Sequence, residues 1–324
     1  MSKFLVRKCL QIISVVLLAS CSKQETPKNP TKIYTADEYK KAAQACIRAG
    51  DLKCIEINWS HYVAMRPNDS AAHAYYAIVL NWSDKPEQAI VEAERAIDMG
   101  EGTYDLFAAY AASLDKVGRA KEAIDWSYKS LAVIPSLVDV RGSLAKILVQ
   151  QNKQYEALAL LTSYDNELTN NGHPVYFEGQ RISIESKIDR LGSNSAAPAE
   201  GLRVTKLGAH FYAPVRFGTT HANAFMVDTG ASLTTMKTEM LEQLKLPYRV
   251  ISEQVPVHTA DGRVVSARQV IFDSMNVGPF ELHNVQVLVC PQCLSLLGQN
   301  ALSKFDLKSS MNQGVEFLTF EPRL

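Results

Sequence analysis

Residues 222–235 read ANAFMVDTGASLTT, and this stretch decides how the second half of the chain is interpreted. Its first six residues are apolar apart from Asn223, which predicts a β-strand. The strand runs directly into Asp228-Thr229-Gly230-Ala231-Ser232, so a carboxylate, two hydroxyls and a glycine stand where an apolar strand ends. Functional side chains are often presented from such loops.

An apolar strand followed by DTGAS resembles the active-site motif of retropepsin-type aspartic proteases, which are compact β domains with one such motif per chain. The resemblance implies that Asp228 is the catalytic residue. Two further patterns follow in the order that the resemblance implies. Residues 255–259 and 263–272 predict two strands around an Asp-Gly turn, which corresponds to the flap that closes on substrate, with Ala260, Asp261 and Gly262 at its tip. Residues 296–302, LLGQNAL, resemble the glycine motif that packs behind the catalytic loop and opens a short helix.

The resemblance, which covers about residues 203–322, also implies a role for each residue of the loop. Thr229 would hold the loop through its hydroxyl, bonded to the opposite loop. Gly230 would let its backbone approach the carboxylate and donate its N–H. Ala231 would keep the site uncrowded, and Ser232 would lie beside the carboxylate as a hydrogen-bonding group.

Amide hydrolysis of this kind needs two carboxylates that share a proton and so supply both a base and an acid. The D-[ST]-G motif occurs once in the chain, since Asp261-Gly262 lacks the hydroxyl residue and the preceding strand, and Asp273-Ser274-Met275 lacks the glycine. The sequence therefore predicts a homodimer in which Asp228 from each subunit completes the site. Residues 314–320 could form a terminal strand, for which the sequence identifies no partner.

The first half of the chain repeats with a period of 34 residues. Alanine and leucine recur at this spacing, at Ala89, Ala123 and Ala157 and at Leu80, Leu114 and Leu148. The period resembles that of tetratricopeptide repeats, which are stacked helix pairs. About four units over 34–170 are expected, with a capping helix at about 174–188. The resemblance implies a groove for peptides or partner proteins, and the aromatic residues of this half are interpreted as core.

The N-terminus predicts an export signal, because a short basic segment precedes the apolar run Cys9–Leu18. These ten residues are too few to span about 30 Å of hydrocarbon as a helix. The run ends Leu18-Ala19-Ser20-Cys21, which resembles a bacterial lipobox and implies lipidation of Cys21. An ordinary signal peptide with a chance cysteine is the alternative. Ser22 after the cysteine resembles lipoproteins of the outer membrane, here facing the periplasm.

The predicted fold class is an all-α tetratricopeptide-type solenoid followed by a mainly-β retropepsin-like acid protease domain. The expected boundaries are a signal peptide at 1–20, a tether at 21–33, a repeat domain at 34–190, a linker at 191–202 and the protease domain at 203–324. The linker, LGSNSAAPAE within 191–200, is rich in small residues and has no periodicity.

Four cysteines remain once Cys9 and Cys21 are set aside, and an oxidising periplasm would favour two disulfides. Of three connectivities, the local one, Cys46–Cys54 with Cys290–Cys293, is the simplest. The C-x-x-C at 290–293 lacks the βαβ context of a thioredoxin-type site and a second pair for zinc. It is interpreted as a disulfide or free thiols bracing the loop.

Composition and missing motifs narrow the function further. The formal net charge is zero, and the first twenty residues hold Lys3, Arg7 and Lys8 without an acid, so the remainder is slightly acidic and unlike a general nucleic-acid binder. No H-E-x-x-H, G-x-S-x-G, GxGxxG or P-loop occurs, so no metal or cofactor is implied.

Three functional hypotheses follow from these patterns. The leading one is a lipid-anchored, periplasm-facing aspartic endopeptidase that acts as a homodimer on peptide or protein substrates, with repeats that recruit protein partners. The second is a non-catalytic repeat-scaffold lipoprotein for protein binding or envelope assembly. The third is thiol–disulfide exchange through Cys290 and Cys293.

Overall fold

The computed structural model describes residues 34–191, 201–258, 262 and 264–323. The predicted signal peptide, Cys21 with its tether, the linker core at 192–200, and Ala260 and Asp261 of the predicted flap lie outside the described residues. Within the described ranges, no helix is long and apolar enough to cross a membrane.

Consecutive helix pairs form the N-terminal part of the described chain. Their bounds are α1 Ala36–Ala49, α2 Leu52–Met65, α3 Ser70–Trp82, α4 Pro86–Asp98, α5 Tyr104–Lys116, α6 Ala120–Val133, α7 Val138–Gln150, α8 Gln154–Asn170 and α9 Glu178–Leu191. Asp51 and Asp69 cap α2 and α3 by accepting backbone N–H bonds, and Pro86 begins α4, where a missing N–H costs nothing.

The 34-residue period corresponds to one helix pair. The alanines of the repeat, Ala89, Ala123 and Ala157, are at most 1% exposed, which lets the helices approach closely. The predicted helical repeat architecture is confirmed. The capping helix α9 begins at Glu178 rather than near 174, because the carboxylate of Asp165 accepts the backbone N–H groups of Tyr176 (2.9 Å) and Phe177 (3.0 Å) and holds that segment in an irregular conformation.

Strands form most of the C-terminal part, and the prediction of a mainly-β domain there is confirmed. The strands are β1 Leu202–Leu207, β2 His210–Arg216, β3 Asn223–Val227, β4 Thr234–Lys237, β5 Arg249–His258, β6 Val264–Val277, β7 Phe280–Cys290, β8 Leu296–Leu297, β9 Phe305–Asn312 and β10 Val315–Pro322. Two short helices, α10 Thr238–Leu244 and α11 Gln299–Leu302, interrupt them.

The order of the described strands is β5-β6-β7-β4-β8-β3-β2-β1-β10-β9. The two-residue strand β8 lies between β3, to which it is parallel, and β4, to which it is antiparallel. The loop between β3 and β4 carries the DTGAS motif. Because β8 lies between these two strands, it lies directly behind the candidate catalytic residue Asp228. This topology positions the site.

The terminal strand expected at 314–320 is β10, and the structure supplies its partners. It pairs antiparallel with β9 along its whole length and with β1 from Leu202 to Thr205. Both neighbours belong to the same chain, which a linear pattern of alternation cannot reveal. Among the described strands, β9 pairs with β10 alone and forms one edge of the sheet.

The helices and the sheet pack against each other, and residues from Ala36 onward form one compact unit. Helix α8 contacts β1, β2 and β3, and α6 contacts β10. Glu156 of α8 is 7% exposed and accepts hydrogen bonds from Arg203 of β1 at 2.7 Å and from Tyr128 of α6 at 2.9 Å. The Arg203 guanidinium also lies 4.4 Å from the centre of the Phe317 ring. Apolar packing and a buried ion pair therefore join the two parts.

Candidate active site

Asp228 follows directly after β3 and is partly buried. Its backbone N–H donates to the carbonyl of Leu297 in β8 at 3.1 Å, which fixes the start of the loop. Its carboxylate oxygen Oδ1 accepts the backbone N–H of Gly230 at 2.8 Å. A Cβ at position 230 would lie 3.2 Å from the same oxygen, so glycine allows this close approach. The carboxylate is thus oriented by its own loop.

The N-terminal end of α11 holds the remainder of the loop. The backbone N–H of Gln299 donates to the carbonyl of Ala231 at 2.8 Å, and that of Asn300 donates to the carbonyl of Ser232 at 3.1 Å. The Gln299 side chain donates to the carbonyl of Thr229 at 2.9 Å. Thr229 and Ser232 are exposed to solvent. The roles that the sequence assigned to their hydroxyl groups stay predictions.

A polar network behind the loop involves two residues that the sequence analysis missed. Thr234 is fully buried, and both its N–H and its hydroxyl donate to the side-chain oxygen of Asn300, at 2.8 Å and 3.0 Å. The Asn300 amide donates in turn to the carbonyl of Gln286 in β7 at 2.8 Å. The available signals in the sequence were the threonine pair that begins β4 and an amide side chain two residues after the LLG segment.

Gly298 lies where β8 meets the loop and leaves no room for a side chain. A Cβ at this position would lie 2.4 Å from the carbonyl carbon of Leu233 and 2.5 Å from its oxygen. Its backbone N–H donates to the Thr234 hydroxyl at 3.3 Å. The glycine of the LLG segment is therefore required by the backbone of the catalytic loop.

The predicted flap corresponds to the hairpin of β5 and β6, which is longer than the sequence suggested. Pairing runs from Arg249 with Ile271 to His258 with Val264, with register shifts near Ser252. Glu253 and Arg268 form a 2.8 Å ion pair across it. Gly262, the described residue of the tip, has φ of +81°, in the region that favours glycine.

The cysteines of the described residues form two local disulfides. Cys46 is joined to Cys54 between α1 and α2, and Cys290 is joined to Cys293 after β7. The second pair closes a turn that leads into β8 rather than the N-terminus of a long helix. This surrounding structure differs from that of a thioredoxin-type site.

Residues 213–304 match the family model described as gag-polyprotein putative aspartyl protease. This part of the chain is a retropepsin-like domain. The match runs from within β2 to just beyond the end of α11, so it includes the DTGAS loop and the β5–β6 hairpin, whereas β1, β9 and β10 lie outside it. The retropepsin-like domain supports an aspartic protease, with one DTG motif per chain.

Solved structures resemble each part of the chain at low identity. A retropepsin-like aspartic protease from Rickettsia conorii is 23% identical, with 36% of this chain and 88% of that chain covered and a TM-score of 0.27. MamA MSR-1 C2 is 18% identical over 43% of this chain and 79% of that chain, with a TM-score of 0.39. The second TPR domain of human RPAP3, in complex with an HSP70 peptide, is 19% identical over 35% of this chain and 93% of that chain, with a TM-score of 0.32. No curated protein matches the chain.

Proposed function

We propose that this protein is an aspartic endopeptidase that hydrolyses peptide bonds with Asp228 from two subunits. The observation that carries the proposal is the Asp228 carboxylate, which lies at the end of β3 in a loop held by β8 and α11 within a retropepsin-like domain. A water between two such carboxylates would be deprotonated by one while the other protonates the leaving nitrogen. One carboxylate per chain makes the second subunit a chemical requirement.

The free edge of β9 is the surface that we propose for this dimer. Gln313 and Gly314 both have positive φ, +48° and +80°, as in a two-residue type I′ turn. In such a hairpin the two residues that flank the turn, Asn312 and Val315, exchange both hydrogen bonds. Every second residue of β9, starting at Met311 and ending at Phe305, therefore directs its N–H away from β10. Two copies of β9 could pair antiparallel across a two-fold axis and close the edge.

The repeats would recruit protein substrates or partners to this site. The sheet packs against α6 and α8, the second helices of their pairs, which favours the first helices α1, α3, α5 and α7 as the recruiting face. Trp82 at the end of α3 is 59% exposed, and an exposed indole is a common anchor for a bound chain.

Anchoring to the outer membrane on its periplasmic side is a further part of the proposal. It rests on the basic segment, the apolar run and the lipobox-like residues that end at Cys21. Two local disulfides among the described residues agree with an oxidising compartment.

The test compares the parent with Asp228→Asn on a degenerate peptide mixture followed by mass spectrometry. We expect time-dependent cleavage by the parent and a loss of at least about a thousandfold in the variant, because an amide cannot act as the base. Asp273→Asn is the matched control: that carboxylate is on β6, 88% exposed, and should leave cleavage unchanged. Equal cleavage by the parent and Asp228→Asn would refute the assignment.

The scaffold hypothesis is the second candidate, and the single carboxylate per chain is the observation that favours it. A chain that stays monomeric has half of a dyad and can only bind. Analytical ultracentrifugation at high protein concentration separates the two. A strict monomer that leaves the peptide mixture intact from acidic to neutral pH would favour the scaffold.

A further inference from the structure

The Cys290–Cys293 disulfide lies between the flap hairpin and the catalytic loop. Cys290 ends β7 and is 3% exposed, while Cys293 is partly exposed. The backbone N–H of Cys293 donates to the carbonyl of Cys290 at 3.2 Å, so the disulfide closes a four-residue turn. The proposed chemistry of Asp228 does not use this cross-link.

The turn controls how the chain enters β8. In the sheet order, β4 separates β7 from β8, and β7 is parallel to β4 whereas β8 is antiparallel to it. Residues 291–295 must therefore reverse direction and cross about 10 Å, the width of two strand spacings. Because β8 is only two residues long, its own pairing contributes little to its position. The turn at residues 290–293 therefore does much to fix the position of β8.

Hydrogen bonds connect the segment after the turn to β3 and β4, the two strands that flank the DTGAS loop. The hydroxyl of Thr235 in β4 donates to the carbonyl of Leu294 at 2.5 Å. The N–H groups of Met226 and Asp228 donate to the carbonyls of Ser295 and Leu297 at 2.8 Å and 3.1 Å. A shift of the turn would loosen the backbone of Met226 and Asp228 through these bonds, while the Asp228 carboxylate keeps its bond to the Gly230 N–H.

Apolar packing connects the same disulfide to the flap. Cys290 and Cys293 belong to a cluster with Leu288, with Leu233 beside the DTGAS motif and with four residues of the flap strands. The flap residues are Val255, Val257, Val265 and Ala267. Directly after the turn, Leu294 is 58% exposed, next to this cluster in sequence. The disulfide therefore belongs to the apolar cluster that joins the strands of the flap hairpin to Leu233, the residue after the DTGAS motif.

We propose that the Cys290–Cys293 disulfide is a redox-sensitive positioning element of the protease site, which holds β8 and the flap base in place for peptide binding. The proposal rests on the proposed function. A dithiol reductant would attack the partly exposed Sγ of Cys293, form a mixed disulfide and release the Cys290 thiolate, which takes a proton. The second thiol of the reductant then releases Cys293 as a thiol and leaves as a cyclic disulfide, so two electrons pass to the protein.

The kinetic test compares the double variant Cys290→Ala/Cys293→Ala with Cys46→Ala/Cys54→Ala, which removes the disulfide between α1 and α2. The probe is an internally quenched peptide chosen from those that the parent cleaves. We expect KM to rise at least about fivefold in the first variant with kcat within about twofold, because the loop around Asp228 keeps its own bonds to α11. The control should match the parent. Equal KM in both variants would overturn the proposal.

A structural measurement tests the proposal without relying on cleavage or on correct folding of the Cys290→Ala/Cys293→Ala variant. The Cys46→Ala/Cys54→Ala protein is reduced with dithiothreitol, and hydrogen exchange is followed at the amides of Met226 and Asp228. We expect exchange to accelerate at least about tenfold on reduction and to recover on reoxidation. Unchanged protection would overturn the proposal even where cleavage is observed. Failure of the parent to cleave any peptide would refute the proposed function and leave the exchange result to decide this inference.

Discussion

A single glycine, Gly298, limits the size of the residue that can lie behind the loop of Asp228. Gly298 lies against the backbone of Leu233, which directly follows the DTGAS motif, and its N–H bonds to the buried Thr234. Its φ of −92° is accessible to any residue, so the requirement comes from space and not from backbone conformation. An added methyl group would have to displace the loop itself.

We predict that Gly298→Ala lowers the free energy of unfolding by about 3 kcal/mol, because backbone atoms at 2.4 Å and 2.5 Å must move. Urea unfolding followed by circular dichroism measures the change. The matched control is Gly179→Ala at the start of α9, where a Cβ meets nothing within 4 Å and stability should be unchanged or rise by up to about 1 kcal/mol. A Gly298→Ala protein as stable as the control would contradict the close approach.

The residue scale also shows what sequence could predict about the site. Asp228, Gly230 and Gly298 lie in motifs whose order along the chain identifies them. Asn300 and Thr234 were missed because their bond joins positions 66 residues apart, and only the threading of β8 brings those positions together.

At the scale of elements, β9 is one of the two edge strands among the described strands, with β5 at the other end of the sheet order, and its outer edge has unfilled hydrogen-bonding capacity. Its outer edge, Phe305–Asn312, carries two serines and two charged residues, and Met311 is 66% exposed. An edge of this kind invites pairing with another strand. The sequence indicated a terminal strand but not a hairpin paired within its own chain, since alternation identifies a strand and not its neighbour.

We predict that Ser309→Pro prevents dimerisation and abolishes cleavage while the fold is retained. The hairpin register directs the N–H of Ser309 away from β10, so proline removes a bond to a partner strand and none within the chain. Sedimentation equilibrium measures the association. Ser309→Thr keeps the N–H and should dimerise like the parent. A Ser309→Pro protein that still dimerises would exclude this edge as the interface.

At the scale of the whole molecule, one buried carboxylate joins the helical repeats to the sheet. Arg203 donates to Glu156 through Nε at 3.0 Å and Nη2 at 2.7 Å, and its guanidinium stacks on Phe317. Burial acts to lower the pKa of Arg203, but the charge and hydrogen bonds of Glu156, together with the nearby Tyr128 and Asp125, outweigh it, so the pKa of Arg203 is raised. Burial, reinforced by the same carboxylate, raises the pKa of Tyr128 well above its usual value.

We predict that Arg203→Met lowers the free energy of unfolding by about 3 kcal/mol, because the buried Glu156 would lose its 2.7 Å partner and keep only the longer, 4.0 Å ion pair with Lys153. Lys206→Met is the control on the same strand: its ion pair with Glu316 is more exposed, and its loss should cost less than about 1 kcal/mol. Chemical denaturation of both variants gives the comparison. Equal losses would mean that the Arg203–Glu156 pair contributes no more to the junction than an exposed ion pair does.

The attachment of the sheet to the last two helix pairs has a consequence for how the molecule can vary. Helices α6 and α8 contact strands, whereas α1 to α4 pack within the repeat array. Because stacked repeats interact mainly with their nearest neighbours, a 34-residue unit can be added or removed at the N-terminal end without touching the protease fold. The length of the array can thus change the distance from the proposed membrane anchor, or toward the proposed partner, to the β domain while the DTGAS loop stays the same.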